Sequence, residues 1–253
     1  MHTFAAYLQQ ELRRIVRKPD LLIFTVALPG ALYLMFGTTS SGDADAAGHG
    51  NTAAVVMTSM ALYGAAGVAI SIAGAITLER QSGWVRQLRL AGLSQRAWLG
   101  GKIIMAALMA TFSVLLVFSL GAATGSHMDG AGRWAATVVL ILVAAAPMTL
   151  FGLAMALVLP TDSAIPIASG LLVVFSFLGN LFVPLHGALA EFSRFTPMYG
   201  SAILARWPQL SGEYYHDGMA QQETLTAALF SIAVWSAVWA LVCVRGARRM
   251  TAR

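Results

Sequence analysis

Residues 103–128 read IIMAALMATFSVLLVFSLGAATGSHM, an uninterrupted run without Asp, Glu, Lys or Arg. At about 1.5 Å of rise per residue, a helix over this run exceeds the roughly 30 Å of a bilayer's hydrocarbon core. The rest of the 253-residue chain has a similar composition, with 58% hydrophobic residues. Only 11% of residues are charged, against about 25% in soluble domains. The single cysteine excludes a disulfide scaffold, and the hydrophobicity excludes disorder. The sequence predicts a membrane protein.

Five further charge-free runs give an all-α membrane protein with six transmembrane helices in a single domain, 1–253. Backbone groups in lipid must be paired within each segment, and the runs lack the alternation of barrel strands. A signal peptide cleaved near Ala44–Ala46 is an alternative for the first run, but that site lies well beyond its apolar end at Phe36. The spans are expected near residues 21–38, 53–78, 103–124, 134–160, 164–187 and 224–244.

The basic residues lie mostly on one side of these spans. Thirteen of the 16 Lys and Arg residues precede the first span, follow the sixth or lie between the second and third. Because loops rich in Lys and Arg stay in the cytoplasm, both termini are expected inside. The sequence pI near 9.8 has the same origin, and no nucleic-acid partner is expected.

A basic amphipathic helix is expected at residues 1–20, ahead of the first span. Phe4, Leu8, Leu12 and Ile15 follow helical spacing, and most of the polar side chains fall elsewhere. Such a helix typically lies in the cytoplasmic interface, with its cations near anionic membrane lipids. The alternative is an ordinary basic flank that sets the topology.

The cytoplasmic loop 79–102 carries a short helix with two different faces. Trp84, Leu88 and Ala91 share one helical face, and Arg86 and Arg89 share another. Gly92 can end this helix and Ser94 can cap the next, which continues into the third span. A helix of this kind has the form of a docking element. A solvated loop that only sets topology is the alternative.

The segment 188–223 is expected outside the cell and folded back on the membrane. A structureless loop of about 35 residues would be unusual. Its two interpretations are a gate and an interfacial belt of aromatic side chains. Those aromatics are Phe192, Phe195, Tyr199, Trp207, Tyr214 and Tyr215.

Motifs of catalysis and ion coupling are missing from the sequence. No formal charge falls within a predicted span, whereas coupled transporters keep ionisable residues there. No HExxH, GxSxG or complete P-loop motif occurs, although Gly101 and Lys102 match a P-loop's end. No catalytic residue, metal site or cofactor is therefore expected on this chain.

Three motifs resemble the permease subunits of type-2 ABC exporters, with the daunorubicin-resistance permeases as a close comparison. The loop is similar to the family's E-R-x-x-G-t-l-x-x-L-R-x-t-P-x-S…G-K pattern, with Gly92 in the place of its usual proline. The other two are GNLFVP at 179–184 and TPMY at 196–199, followed by Arg206. In order and length, the resemblance covers nearly the whole chain.

The resemblance implies a non-catalytic half-unit in a bacterial plasma (inner) membrane, which exports an amphiphilic substrate such as a drug, antibiotic or lipid. It implies two copies of an ABC ATPase that binds ATP and Mg, a second permease half (this chain or a paralogue), and extracellular re-entrant helices after the fifth span. By the same resemblance, the residues that couple to the ATPase are Glu79, Arg80, Gly83, Trp84, Arg86, Leu88 and Arg89.

The substrate path is expected between the second and fifth spans, again by resemblance. Met and aromatic side chains suit varied apolar ligands because they repack around different shapes. Core packing or lipid contact is the alternative role for them. Two rival functions also stay open, a membrane-anchored assembly or signalling protein and a secondary transporter. The path residues are Met57, Met60, Tyr63, Phe175, Phe177 and Asn180.

Overall fold

The computed structural model describes residues 2–17, 23, 27–38, 46–159, 163–216 and 219–251. Helices form the body of the chain, as the sequence predicts. The prediction of an all-α fold did not include a short antiparallel hairpin, β1–β2, which pairs Glu213 with Gln222. The elements are α1 (His2–Val16), α2 (Leu28–Phe36), α3 (Thr52–Gln81), α4 (Trp84–Leu90), α5 (Gln95–Ala123), α6 (Ala131–Ala144), α7 (Ala146–Val158), α8 (Ala164–Leu178), α9 (Gly187–Ser193), α10 (Tyr199–Leu210), β1 (Glu213–His216), β2 (Met219–Gln222) and α11 (Leu225–Thr251).

Four helical stretches in the described ranges are long and apolar enough to cross a membrane: Thr52–Arg80, Gln95–Ala123, Ala131–Val158 and Leu225–Arg248. They correspond to the second, third, fourth and sixth expected spans. Residues 21, 22 and 24–26 of the first span, 21–38, lie outside the described residues, and the helix α2 in the remainder has nine residues. The fifth, 164–187, is helical only over α8, which covers about 22 Å at 1.5 Å per residue. The six-span arrangement therefore stays a prediction.

The helix α8 ends at Leu178 because the next residues form a Schellman motif. Leu181 N donates to Ser176 O over 3.0 Å, and Asn180 N donates to Phe177 O over 3.1 Å. Asn180 has φ +61°, the left-handed conformation that this motif requires and that Asn tolerates better than most residues. Its Oδ1 also accepts from Leu185 N. A hydrophobic run continuing to residue 187 does not reveal this local stop.

The fourth span is interrupted at Ala145, between α6 and α7. Pro147 has no N–H to donate to the carbonyl four residues earlier, and its ring crowds that turn. Ala145 N still donates to Ile141 O, so the two helices continue one another.

The helix α3 is the centre of the bundle. It packs against α2, α5, α6, α7, α8 and α10, and most of its length is buried. By contrast, α11 is largely exposed along its apolar length, as expected for a helix that faces lipid or another subunit.

A close crossing of α7 over α3 depends on Gly152. A Cβ atom there would lie 2.6 Å from the carbonyl oxygen of Ile70 and 2.7 Å from its Cα, so the backbones would have to separate. We expect Gly152→Ala to lower the free energy of unfolding by about 1–3 kcal/mol, the usual cost of overpacking. Gly170→Ala on α8 is the control, because its Cβ would meet open space. Equal melting temperatures for both variants in the same detergent would contradict this crossing.

Candidate functional site

The loop helix α4 has defined ends that the sequence predicts in part. Gly83 precedes it with φ +75°, a conformation that favours glycine. At the other end Leu93 N donates to Leu88 O and Gly92 N to Arg89 O, both over 3.0 Å. Gly92 has φ +86° in this Schellman motif, which confirms that it ends the helix. Ser94 Oγ accepts from Ala97 N over 3.2 Å, which confirms the cap of α5.

The apolar side of α4 faces its own chain. Leu88, with the neighbouring Val85, packs against the buried cluster of Tyr7, Leu93 and Trp98. The family resemblance implies an ATPase contact for Leu88, whereas its packing partners in the structure belong to the same chain. Helical spacing identifies an apolar face but not the surface that covers it.

The outer side of α4 is basic with one apolar residue. Arg86 and Arg89 are exposed, as is Leu90, with 83% of its surface accessible. Sequence reasoning missed Leu90 because it lies outside the spacing of Trp84 and Leu88. Trp84 is half-buried, and its Nε1 is buried without an acceptor among the described residues.

A buried ion cluster of Glu11, Arg14, Glu79 and Lys102 lies behind α4. Lys102 Nζ donates to Glu79 Oε1 over 2.6 Å and also to Glu11 Oε1. Arg14 Nη1 donates to the same Glu79 oxygen over 2.7 Å. Glu11, Glu79 and Lys102 are at most 7% exposed. The cluster joins α1, the last turns of α3 and the start of α5.

Burial explains why these four charges occur as a set. Removing a charge from water costs several kcal/mol unless partners and hydrogen bonds compensate it. Two carboxylates face two cations here, so the formal charges balance. Arg14 stays partly exposed, at 42% of its side chain, and supplies its cation from the rim. The arrangement fixes three separate elements to one another.

Trp98 and Gly101 complete the packing around the cluster. The Trp98 ring is fully buried and its Nε1 donates to Glu79 Oε2 over 3.2 Å. The Arg80 guanidinium lies 5.6 Å from the centre of that ring. Gly101 contacts the Tyr7 ring, where a Cβ would collide with it. Burial, followed by the charges of Glu11 and Glu79, raises the pKa of Tyr7, so its hydroxyl stays neutral.

A cavity of about 110 Å³ adjoins the ion cluster. That volume is enough for a few water molecules, which could solvate the buried charges. Its lining extends between α3, α5 and α8 and includes Ser71, Ile72, Ala75, Met105 and Ile165.

Signals for this cluster exist in the sequence. Glu11 falls at helical spacing within the stripe of Leu8 and Ile15, where a carboxylate would otherwise be anomalous. Glu79 and Lys102 are the first and last residues of the loop pattern. Leu8 and Ile15 of the same stripe pack against protein, and the interfacial position of α1 stays a prediction. Leu12 is the exposed apolar member of that stripe, at 42%.

The six expected path residues do not form one surface. Met57 and Met60 are fully buried in the bundle core, and Tyr63 is 6% exposed. Phe175 packs on Phe151 at 5.4 Å between ring centres. Phe177 is exposed at 47%.

One aromatic contact connects the two expected path helices. Phe182, just beyond α8, lies 5.2 Å from the Tyr63 ring and 4.8 Å from the Phe177 ring. Tyr63 and Phe177 are therefore brought together through Phe182, which is not one of the six expected path residues. The core packing of Met57 and Met60 favours the structural role for that pair.

Comparison with known proteins identifies the family. Within the described part of the chain, no group of three His, Cys, Asp or Glu side chains is placed to hold a metal ion. Comparisons with curated proteins and with solved structures give no match. A family model described as ABC-2 type transporter matches residues 2–199, most of the chain, including α1, the loop and the ion cluster. The chain belongs to the ABC-2 type transporter family and is a multi-pass membrane permease subunit.

Proposed function

We propose that this chain is the permease half of an ATP-driven exporter, coupled through α4 to a separate ABC ATPase. One observation carries the proposal. The helix α4 is held from behind by its packing on Tyr7 and Trp98, beside the buried ion cluster, and it presents basic and apolar side chains outward. A rigid helix with one free face can transmit a partner's movement to the spans without deforming.

The seven residues that the family resemblance implies for coupling fall into two groups. Some position α4, and the others lie on or beside the surface that faces the ATPase. Glu79, Gly83 and Leu88 position the helix, because they are a buried ion, a left-handed junction and an intramolecular contact. Arg86 and Arg89 offer cations to acidic groups of the ATPase. Arg80, on the Trp98 ring, and the half-buried Trp84 stand at the edge of that surface.

The complete transporter in this proposal contains two permease halves and two ATPase subunits that bind ATP and Mg. The second half is another copy of this chain or a paralogue. An amphiphilic substrate moves outward by alternating access, past the second and fifth spans. The helices α9 and α10 serve as the re-entrant helices, and α10 is suited to this because seven of its 12 residues are buried.

Co-purification with an ABC ATPase tests the proposal. The chain would be co-expressed with an ATPase encoded in a neighbouring reading frame, and ATP hydrolysis measured in the isolated complex. We expect a stable complex whose hydrolysis responds to amphiphilic compounds. An ATPase substituted at its P-loop lysine is the control for contaminating hydrolysis. Failure of every candidate ATPase to bind would instead favour an assembly or signalling protein.

The orientation is tested by thiol labelling of intact cells, after Cys243 is replaced. Because 13 of the 16 basic residues fall on one side, we expect a cysteine at Arg89 to react only with membrane-permeant reagents. A cysteine at Glu213, on β1, should react with impermeant reagents as well. Labelling of position 89 by an impermeant reagent would contradict both the topology and the coupling role.

A further inference from the structure

Arg206 places a cation beside a membrane span, although none of the expected spans contains a charged residue. It lies on α10, and its Nε and Nη2 both donate to Ser59 Oγ of α3, over 3.1 and 2.6 Å. Nη2 also donates to the carbonyl oxygen of Asn180 over 2.8 Å. The guanidinium thus links α10, α3 and the end of α8.

The depth of the Arg206 guanidinium in the membrane follows from the position of its hydrogen-bond partner, Ser59, along α3. Ser59 lies seven residues beyond Thr52, the first residue of α3, which corresponds to about 10 Å along the helix. Arg206 is therefore near the end of α3 that is opposite to α4. Ionisable groups beside membrane spans are costly and mark functional sites more often than ordinary packing.

The protein compensates this cation only in part. The Asn180 carbonyl, two residues beyond the end of α8, is a neutral acceptor and leaves the charge itself unpaired. Among the described residues, no carboxylate pairs with Arg206 and no acceptor meets its Nη1 atom. The residue is half-buried, and its Nη1 is not among the fully enclosed polar atoms that lack a partner. Arg194, by contrast, lies 3.5 Å from Glu223 and 3.8 Å from Glu191.

We propose that Arg206 binds the phosphate or carboxylate of an anionic amphiphile in the leaflet opposite to α4. The Nε and Nη2 donors fix the guanidinium, and Nη1 is left to donate to the anion. Membrane lipid and a transported molecule can both supply this chemistry. The site goes beyond the proposed function, since its occupation can be measured on this chain without an ATPase.

Lipid binding to the purified full chain tests the site. In dodecyl maltoside, phosphatidylglycerol and phosphatidylcholine with identical acyl chains would be titrated by native mass spectrometry. We expect the chain to prefer phosphatidylglycerol and Arg206→Gln to weaken its binding about tenfold or more, as for a lost charge-assisted hydrogen bond. Arg206→Lys should keep most of the affinity because it keeps the charge. Arg194→Gln, the matched control, should bind like the unmodified chain.

Two further measurements distinguish membrane lipid from a transported anion as the ligand. They also distinguish a specific loss of binding from a loss of fold. Dodecyl phosphate, titrated in the same way, represents a single-chain anionic substrate. A dependence on Arg206 for phosphatidylglycerol assigns the site to lipid, and a dependence for dodecyl phosphate alone assigns it to a transported anion. Ser59→Ala removes a hydrogen-bond partner but keeps the cation, so it should retain binding. Equal binding of both probes by Arg206→Gln and the unmodified chain, or equal losses in the Gln and Lys variants, would overturn the proposal.

Discussion

Replacing Lys102 by Met is expected to lower the free energy of unfolding by about 3–5 kcal/mol, the usual cost of removing one partner from a buried ion pair. The substitution leaves the carboxylates of Glu11 and Glu79 facing one another with Arg14 as their remaining cation. The change in volume is small, so the effect is electrostatic. Unfolding of the purified chain in mixed detergent and denaturant micelles would measure it.

A second substitution shows whether the loss comes from unbalanced charge. Adding Glu11→Gln to the Lys102 variant leaves Glu79 paired with Arg14, and part of the lost stability should return. Contacting residues typically show coupling energies of about 0.5–3 kcal/mol in such cycles. Arg96→Met is the control, because this basic residue of α5 is exposed. If the Lys102 and Arg96 variants unfold alike, the ion cluster does not stabilise the fold.

The elements that the sequence predicts well depend on local information. A charge-free run of sufficient length is enough to predict α3, α5 and α11, because lipid leaves the backbone few alternatives to a helix. The limits of α4 are also local, since Gly92 and Ser94 act within one turn of the residues that they end or cap. These features need no knowledge of the tertiary structure.

The features that the sequence does not predict depend on distant partners. Glu11 and Lys102 are 91 positions apart, and neither residue identifies the other. Leu88 has an apolar environment that helical spacing finds, but the surface that covers it comes from α1 and α5. Arg206 belongs to a segment expected outside the membrane, and only folding brings it against Ser59. A count of charges within spans therefore missed a charge beside a span.

The exposed face of α4 should decide association with the ATPase. We expect Arg89→Ala together with Leu90→Ala to weaken binding of the ATPase about thirtyfold or more, which corresponds to about 2 kcal/mol at an interface anchor. Both side chains are exposed in the isolated chain, so their truncation should leave its melting temperature unchanged. Surface-captured permease and soluble ATPase would give the dissociation constants.

Leu88→Ala is the matched control for this prediction, because it truncates a leucine on the opposite side of the same seven-residue helix. Leu88 packs on the cluster that holds α4 in place, so its loss should lower the melting temperature of the chain. The folded fraction should still bind the ATPase with nearly unchanged affinity. The reverse pattern, with assembly lost at Leu88 and retained in the Arg89 and Leu90 variant, would mean that α4 rotates to present its apolar face to the partner. The intramolecular packing of Leu88 would then belong to the unassembled chain alone.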